Sequence, residues 1–264
     1  MNKYKFFKII FYSFILYKGF FVCATLNAET SMDVPLEGKI VDIIDGDTIV
    51  LENGQQIRLV GIQAPKLSLN RKDFIDWPLA KEAKTFLEKI VQDRHVFLSY
   101  GPQKKDRYDR LLAHVTNDKG EWVQGEMLSY GMARVYIFPD NRYKINDMLV
   151  LEQKARLAKK GIWQHTYYSI LKPEMANVPN TYQIVEGKIY SISKQKKNIY
   201  INFGSDWKKD FTLTIEPEAQ KLFLKDNINI EEFNNKFVRV RGWIDQYYGP
   251  RIIITYPEQI EIIN

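Results

Sequence analysis

The sequence predicts a mainly β fold with helices (α+β), in which a small five-stranded barrel with three helices is followed by a second small β barrel. Three observations predict it. Short runs rich in β-branched and aromatic residues are separated by turn signals. Helical periodicity is confined to a few separate segments. An order of three strand-like runs, a helical segment and further strand-like runs occurs twice, and this order is typical of barrels of the oligonucleotide/oligosaccharide-binding (OB) type.

The first barrel is bounded by turn and cap signals. Residues 53–54 are Asn-Gly, a strong hairpin signal between two of the strands. Gly131 and Gly161 each follow a helical segment and suit left-handed helix caps. Pro78 suits the first turn of a helix. The predicted strands are 37–44, 47–52, 56–62, 94–98 and 111–115. One predicted helix begins at Pro78, and two more cover residues 122–130 and 144–160.

A linker over residues 166–182 separates two predicted domains, 37–165 and 183–264. Prolines and asparagines interrupt any long periodic run in the linker. We expect the second domain to be another OB-like barrel. Its predicted strands are 183–192, 198–203, 210–215, 236–244, 250–255 and 258–263, with a helix over 216–224.

Residues 1–28 carry the pattern of a secretory signal peptide, with lysines before an apolar run and small residues after it. We therefore expect an exported protein, periplasmic or secreted. The alternative is a membrane anchor, but the apolar run 9–24 is shorter than the roughly 20 residues a spanning helix needs, and Lys18 interrupts it. Cys23 is the only cysteine, so the processed chain would have no thiol for disulfides or catalysis.

Composition excludes some classes and leaves the partner open. The chain of 264 residues is 45% apolar and 14% aromatic, which indicates packed cores and excludes a disordered chain. The net charge is +6, but four lysines of the signal segment supply part of it and leave +2, so the overall charge is weak support for a polyanionic partner. The three histidines lack metal-ligand spacing.

Two acidic residues and two arginines form the candidate site. Residues 45–48 read Asp-Gly-Asp-Thr, Arg58 lies in the next strand, and Arg110 ends an Asp-Arg-Tyr-Asp-Arg segment at 106–110. A guanidinium donates two hydrogen bonds and stays charged at any working pH, so arginine suits a phosphate. Phosphodiester cleavage needs such positive charge and also a base or a positioned water. The pattern indicates a site for a phosphate ester.

The order of these motifs resembles the thermonuclease (staphylococcal nuclease) family over roughly residues 37–165. Besides the two acidic motifs, the resemblance rests on Ile-Arg-Leu-Val-Gly-Ile-Gln-Ala-Pro-Lys at 57–66 and on Gly-Met-Ala-Arg-Val-Tyr at 131–136. The resemblance implies an OB-type barrel that hydrolyses DNA or RNA, with single strands favoured. The second domain resembles a C-terminal extension of some secreted members.

The resemblance also implies roles for single residues. It implies that Asp47 is a calcium ligand and that Arg58 and Arg110 are the catalytic, phosphate-binding arginines. Tyr108 matches an aromatic residue beside the bound nucleotide. Asp45 is a further candidate metal ligand, and Tyr136 a further candidate for stacking on a nucleobase.

Gln63 and Lys66 depart from the family pattern, which reads Asp-x-Pro-Glu at this point. Gln63 can still ligate a cation but contributes no charge, so we expect only weak binding of a divalent cation, Ca²⁺ if any. Lys66 reverses the local charge and cannot act as a base while protonated. It is better interpreted as a third phosphate clamp. No small-molecule cofactor is expected.

Alternatives remain open for these residues. Asp45 and Asp47 could cap the turn without a metal, and Arg58 could pair with Asp47 structurally, bind a ligand phosphate, or do both in turn. A replacement carboxylate for hydrolysis is sought among Asp73, Asp76, Asp109, Asp206 and Asp210.

In the second domain, aromatic residues alternate with cations, which suggests contact with nucleic acid or glycan, although core packing is the preferred interpretation for the tryptophans. These residues are Trp207, Arg239, Arg241, Trp243, Tyr247 and Tyr248. For the whole chain two hypotheses compete: an exported nuclease, and a non-catalytic binder that keeps the clamp of Arg58, Lys66 and Arg110.

Overall fold

The computed structural model describes residues 34–263, and those from Pro35 onward belong to one compact unit. The predicted signal peptide, residues 1–28, lies outside the described residues. Within the described part of the chain, no helix combines the length and apolar character needed to cross a membrane.

Five strands close the first barrel, as predicted. The strands of this half are β1 (Glu37–Asp45), β2 (Thr48–Leu51), β3 (Gln56–Leu59), β4 (Ile62–Gln63), β5 (His95–Lys105), β6 (Leu111–Asn117) and β7 (Arg134–Val135). The barrel order is β1-β2-β3-β6-β5, with β3 and β6 parallel, while β4 pairs with β7 beside it. Inward residues of alternate positions, such as Ile49 and Ile57, are fully buried.

Three helices pack on this barrel: α1 (Ala80–Val91), α2 (Val123–Ser129) and α3 (Ile145–Leu157). Helix α2 ends in a Schellman motif, because Met132 N donates to Met127 O and Gly131 N donates to Leu128 O. Gly131 has φ +66° and therefore forms the predicted left-handed cap. The predicted start of α1 at Pro78 is wrong by two residues, because Leu79 has a left-handed conformation, with φ 65°, and the helix begins at Ala80.

The second sheet repeats the strand order of the first barrel. Its elements are β8 (Tyr182–Lys188), β9 (Ser191–Gln195), β10 (Asn198–Asn202), β11 (Thr212–Ile215), α4 (Pro217–Lys225), β12 (Phe237–Tyr247), β13 (Gly249–Ile254) and β14 (Ile260–Ile262). Strands β9, β10, β11, β13, β12 and β8 pair in that order, and β11 runs parallel to β13 as β3 does to β6. Because β8 and β9 are one strand interrupted at residues 189–190, the pairing has the predicted OB-like order.

A buried ion pair joins the two halves. The Arg241 and Glu152 side chains are both 0% exposed, and Arg241 Nη2 lies 2.9 Å from Glu152 Oε2 and 2.7 Å from Glu261 Oε1. Burial alone would raise the pKa of Glu152, but Arg241 outweighs it and lowers that pKa. Glu152 Oε1 also accepts from Val135 N at 2.8 Å. Strand β7 is therefore tied to the second sheet through this pair.

Candidate functional site

The Asp-Gly-Asp-Thr turn places two carboxylates side by side. Gly46 is needed there, because a Cβ at this position would lie 2.7 Å from the Cβ of Ala64 and 2.9 Å from that of Ala83. The turn is thus pressed against the segment after β4 and against α1. Asp47 N donates to Asp45 Oδ1 at 3.1 Å, which holds the two acidic side chains together.

Arg58 is fixed against Asp47. In the β2–β3 pair Arg58 is opposite Thr48, and its Nη2 lies 3.2 Å from Asp47 Oδ2. The guanidinium also donates to the carbonyl of Ile62, at 2.6 Å, and to that of Leu59. These carbonyls and the carboxylate fix one orientation of the side chain. The structural pair between Arg58 and Asp47 therefore exists, and it holds the guanidinium in position before any ligand binds.

Lys66 inserts its ammonium between the two carboxylates. Its Nζ lies 2.6 and 2.8 Å from the two oxygens of Asp47 and 3.2 Å from Asp45 Oδ2. The residue follows β4, and Ala64 N donates to Asp47 Oδ2 at 2.8 Å, which holds the segment in place. A tethered cation therefore lies where the acidic turn presents its negative charge.

The environment separates the pKa values of the two acidic residues. Burial alone would raise the pKa of Asp47, but Arg58 and then Lys66 outweigh it and lower the pKa to about 2. For Asp45, burial and then the neighbouring charge of Asp47 raise the pKa, and Lys66 compensates only in part. Asp47 is consequently ionised at neutral and mildly acidic pH.

Arg110 reaches the same turn from the other motif. Asp106 orients it, since Arg110 Nε donates to Asp106 Oδ2 at 2.8 Å. Its Nη1 lies 3.5 Å from Thr48 Oγ1, and that hydroxyl lies 3.3 Å from Asp47 Oδ1. The two arginines therefore converge on one turn. The exposed ring of Tyr108 lies beside them, 5.5 Å from the guanidinium carbon of Arg110.

Two predicted site residues point elsewhere. Gln63 Oε1 accepts from Arg134 Nε at 3.0 Å and Nη2 at 2.7 Å, so its amide oxygen faces Arg134 and not Asp47. Tyr136 packs against Tyr182, with ring centroids 4.9 Å apart, and its hydroxyl accepts from Trp243 Nε1 at 3.1 Å. Tyr136 thus takes part in the contact between the two halves.

Within residues 34–263, no hydrogen bond or ion pair joins any of the five candidate replacement carboxylates to the cluster. Asp76 accepts from Ser68 N, Asp109 pairs with Lys105, and Asp210 accepts from Asp206 N in the second half. Sequence reasoning missed Asp106, which orients Arg110, and Arg134, which holds Gln63. Both lie within motifs of the resemblance, and Arg134 is an arginine inside an apolar strand, a signal that could have indicated a buried partner.

The donor set does not fit a calcium ion. Ca²⁺ takes six to eight oxygen ligands, whereas the space between Asp45 and Asp47 is taken by the Lys66 ammonium. The amide that could have added an oxygen is held by Arg134. Within residues 34–263, no group of three acidic, histidine or cysteine side chains forms a metal cluster.

The fold and the cluster define a class: an OB-type barrel in which Arg58, Lys66 and Arg110 are held around the acidic β1–β2 turn. A sequence model described as staphylococcal nuclease homologue matches residues 56–165. The Thermonuclease of Staphylococcus hyicus is 33% identical over 131 residues, covering 48% of this chain and 75% of that protein. The chain therefore belongs to the staphylococcal nuclease homologue family.

Two further relatives match the chain with similar identity and coverage. The Thermonuclease of Staphylococcus intermedius is 32% identical over 149 residues, covering 52% of this chain and 82% of that protein. An uncharacterized protein of Methanocaldococcus jannaschii is 33% identical over 149 residues, covering 48% of this chain and 70% of that protein. The matched family segment ends at residue 165, before the second sheet begins.

Proposed function

We propose that this protein hydrolyses phosphodiester bonds of DNA or RNA, with Arg58 and Arg110 binding the phosphate and stabilising its transition state. The observation that carries the proposal is the convergence of both guanidiniums on the turn that contains Asp47. Relatives named Thermonuclease support the reaction class.

The ammonium of Lys66 supplies the positive charge that a metal ion would otherwise bring. It offsets part of the negative charge of Asp45 and Asp47, so that an anionic phosphate can approach the turn. In this partly buried site, fixed positive charge stabilises the negative charge that develops on the non-bridging oxygens as phosphorus becomes five-coordinate. We therefore propose that cleavage does not require a divalent cation.

A non-catalytic nucleic-acid binder is the second candidate, and one observation favours it. Lys66 engages both Asp45 and Asp47, so neither carboxylate is a free base while the lysine is charged. A chain that holds the phosphate but fails to activate water would bind without cleaving.

The test compares Arg110→Ala with Arg94→Ala in cleavage of fluorescein-labelled single-stranded DNA and RNA. Arg94 pairs with Asp118 away from the cluster and is the matched surface control. Arg110→Ala should lower the rate about 100- to 1,000-fold, and Arg94→Ala should leave it unchanged. Equal rates in the two variants refute the catalytic role, and an inactive natural chain that still binds the oligonucleotides supports the binder.

We also propose export, on the basis of the signal-peptide pattern in residues 1–28. N-terminal sequencing of the protein recovered from the cell exterior or periplasm should show a mature chain beginning after the apolar run. Recovery of the uncut chain in membranes would support the anchor instead.

A further inference from the structure

The second sheet carries a polar groove on the face that points away from its core. The groove has a volume of about 190 Å³ and is lined by strands β9, β10, β11 and β13. Along β10 and β11 the lining residues alternate with core residues such as Ile201 and Leu213. The lining positions therefore belong to one face, and that face points away from the core.

Cross-strand register aligns the floor of the groove in two rows. Ser193, Tyr200 and Thr214 form one row, and Asn202 and Thr212 belong to the next. Thr214 is only 1% exposed, and its hydroxyl has no hydrogen-bond partner among residues 34–263. A buried polar atom without a partner is costly, and a ligand with polar edges would supply the missing hydrogen bond.

Aromatic side chains form the rim. Trp207 and Tyr247 line the groove and are 49% and 54% exposed, and the ring of the adjacent Tyr248, 63% exposed, packs against both of them. The rings of Trp207 and Tyr248 are centred 5.3 Å apart, and the guanidinium carbon of Arg251 lies 4.6 Å from the ring centroid of Tyr247. The expectation that Trp207 packs in the core is therefore wrong, because the loop after β10 holds it at the surface.

Tyr248 also has an uncommon backbone conformation. It adopts φ 60° in the hairpin between β12 and β13, where glycine, asparagine or aspartate is usual. A bulky residue in the left-handed region costs free energy. Despite this cost, the hairpin keeps the ring of Tyr248 packed against the rim residues Trp207 and Tyr247.

The charge around the groove favours an anionic ligand over a neutral one. Residues 193–209 contain five lysines and one aspartate. Asp210 accepts from Asp206 N, whereas Asp206 accepts from Lys208 N and also pairs with Lys209, so it offsets one of the five lysine charges. Lys196 and Lys197 lie in the turn at one end of β10, and Lys208 lies in the loop at the other end. Cations thus flank the groove along the strand.

We propose that this groove binds a short single-stranded segment of nucleic acid. Bases stack on Trp207, Tyr247 and Tyr248, the hydroxyl and amide floor contacts base edges, and the lysines of the two loops contact phosphates. The inference rests on the proposed function in one respect: the nucleic acid that binds in the groove is taken to be the substrate that the first barrel cleaves. Binding is measured separately from cleavage.

The experiment measures the fluorescence anisotropy of labelled dT12 and rU12 with the purified protein. All variants carry Arg110→Ala, which weakens the phosphate site of the first barrel and prevents loss of the probe by cleavage. Trp207→Ala should raise the Kd about tenfold, and Trp207→Ala with Tyr247→Ala about 100-fold. Phe237→Ala, which removes an equally exposed ring from β12 outside the groove, should leave the Kd unchanged.

Charge reversal provides a second route, because Lys196→Glu with Lys197→Glu changes only a turn between strands. This variant should weaken dT12 binding and reduce the dependence of the Kd on salt.

Circular dichroism establishes that each variant is folded. Affinities that stay within twofold in both sets of variants overturn the proposal. Quenching of tryptophan fluorescence by maltohexaose or chitohexaose, with no response to dT12, also overturns it and assigns the groove to glycans.

The outcome is separable from that for the first barrel. If the natural chain does not cleave but dT12 affinity depends on Trp207, the groove stands and the nuclease proposal fails. If the natural chain cleaves and dT12 affinity is independent of Trp207, the nuclease proposal stands and the groove fails.

Discussion

The ammonium of Lys66 lies 2.6 Å from Oδ1 of Asp47, at the centre of the candidate site. This contact changes the chemistry of the site, because a covalently attached cation occupies the space between two carboxylates. The surrounding arginines then act on a turn whose negative charge is already partly compensated.

Gln63 is expected to be a structural partner of Arg134 and not a metal ligand. Burial lowers the pKa of Arg134, and the Gln63 amide oxygen accepts two of its hydrogen bonds. Gln63→Leu should therefore lower the free energy of unfolding by about 3 kcal/mol, since hydrogen bonds to a charged group are lost. Gln63→Asp should retain the stability of the natural chain, and urea denaturation measures both. Comparable loss in the two variants would contradict the assignment.

The ion pair between Arg241 and Glu152 should show strong coupling. Arg241→Met leaves the buried carboxylate of Glu152 with only the longer ion pair to Arg156, 3.4 Å, and should cost about 3–5 kcal/mol. Adding Glu152→Gln should restore part of this loss, because the uncompensated charge is removed while a polar group still faces Val135 N. A double-mutant cycle by urea denaturation measures the coupling. Strictly additive effects would show that the pair does not join the two halves.

The buried His114 should lower the free energy of unfolding in mild acid. Burial and then the charge of Lys144 lower the pKa of His114 to about 4, and its Nδ1 accepts from Trp122 Nε1 at 3.3 Å. The unfolded chain, with a histidine pKa of about 6.5, binds the proton more readily. Stability should therefore fall as the pH drops from about 6.5 to 4, by up to about 3 kcal/mol.

The control for this prediction is His114→Gln, whose unfolding free energy should vary less over the same pH range. An equally steep loss of stability between pH 6.5 and 4 in His114→Gln would exclude His114 as the source of the pH dependence.

Asp47 titrates in a separate pH window. Its pKa is lowered from 3.8 to about 2, so the stability it contributes is present above pH 3.8 and is lost as the pH falls to 2.

Gly131 should be far less replaceable than Gly120, although both have positive φ. A Cβ at Gly131 would lie 2.3 Å from the Lys160 carbonyl oxygen, whereas nothing lies within 4 Å of one at Gly120. Gly120→Ala should cost about 1 kcal/mol for its backbone conformation alone. Gly131→Ala should cost about 3 kcal/mol, because overpacking is added. Thermal denaturation compares the two, and equal losses would show that φ alone decides.

The sequence predicted those parts of the fold that depend on local patterns. Alternation, the Asn-Gly turn and the glycine caps determine strands and helices locally, and the ordered motifs placed Arg58 and Arg110 on one site. The position of Lys66 could not be read in this way, because its partners are 19 and 21 residues earlier in the chain. The orientation of Gln63 depends on Arg134, which belongs to a different strand.

Packing predictions failed for a related reason. Trp207 and Trp243 were expected in the core on composition, yet each is 49% exposed. Trp207 lies in a loop, and Trp243 takes part in the contact between the two halves. Neither position can be predicted from the periodicity of nearby residues. Arg239 and Arg241 were candidates for ligand contact and are instead buried in ion pairs.

The central claim is that Lys66 replaces a metal ion at the acidic turn. Its most direct test is the rate at which the natural chain and Lys66→Glu cleave single-stranded DNA, each with EDTA and with added Ca²⁺. We expect the natural chain to cleave equally fast in both conditions and Lys66→Glu to cleave only with Ca²⁺, because freed carboxylates then require a cation. A natural chain whose cleavage disappears in EDTA would contradict the claim.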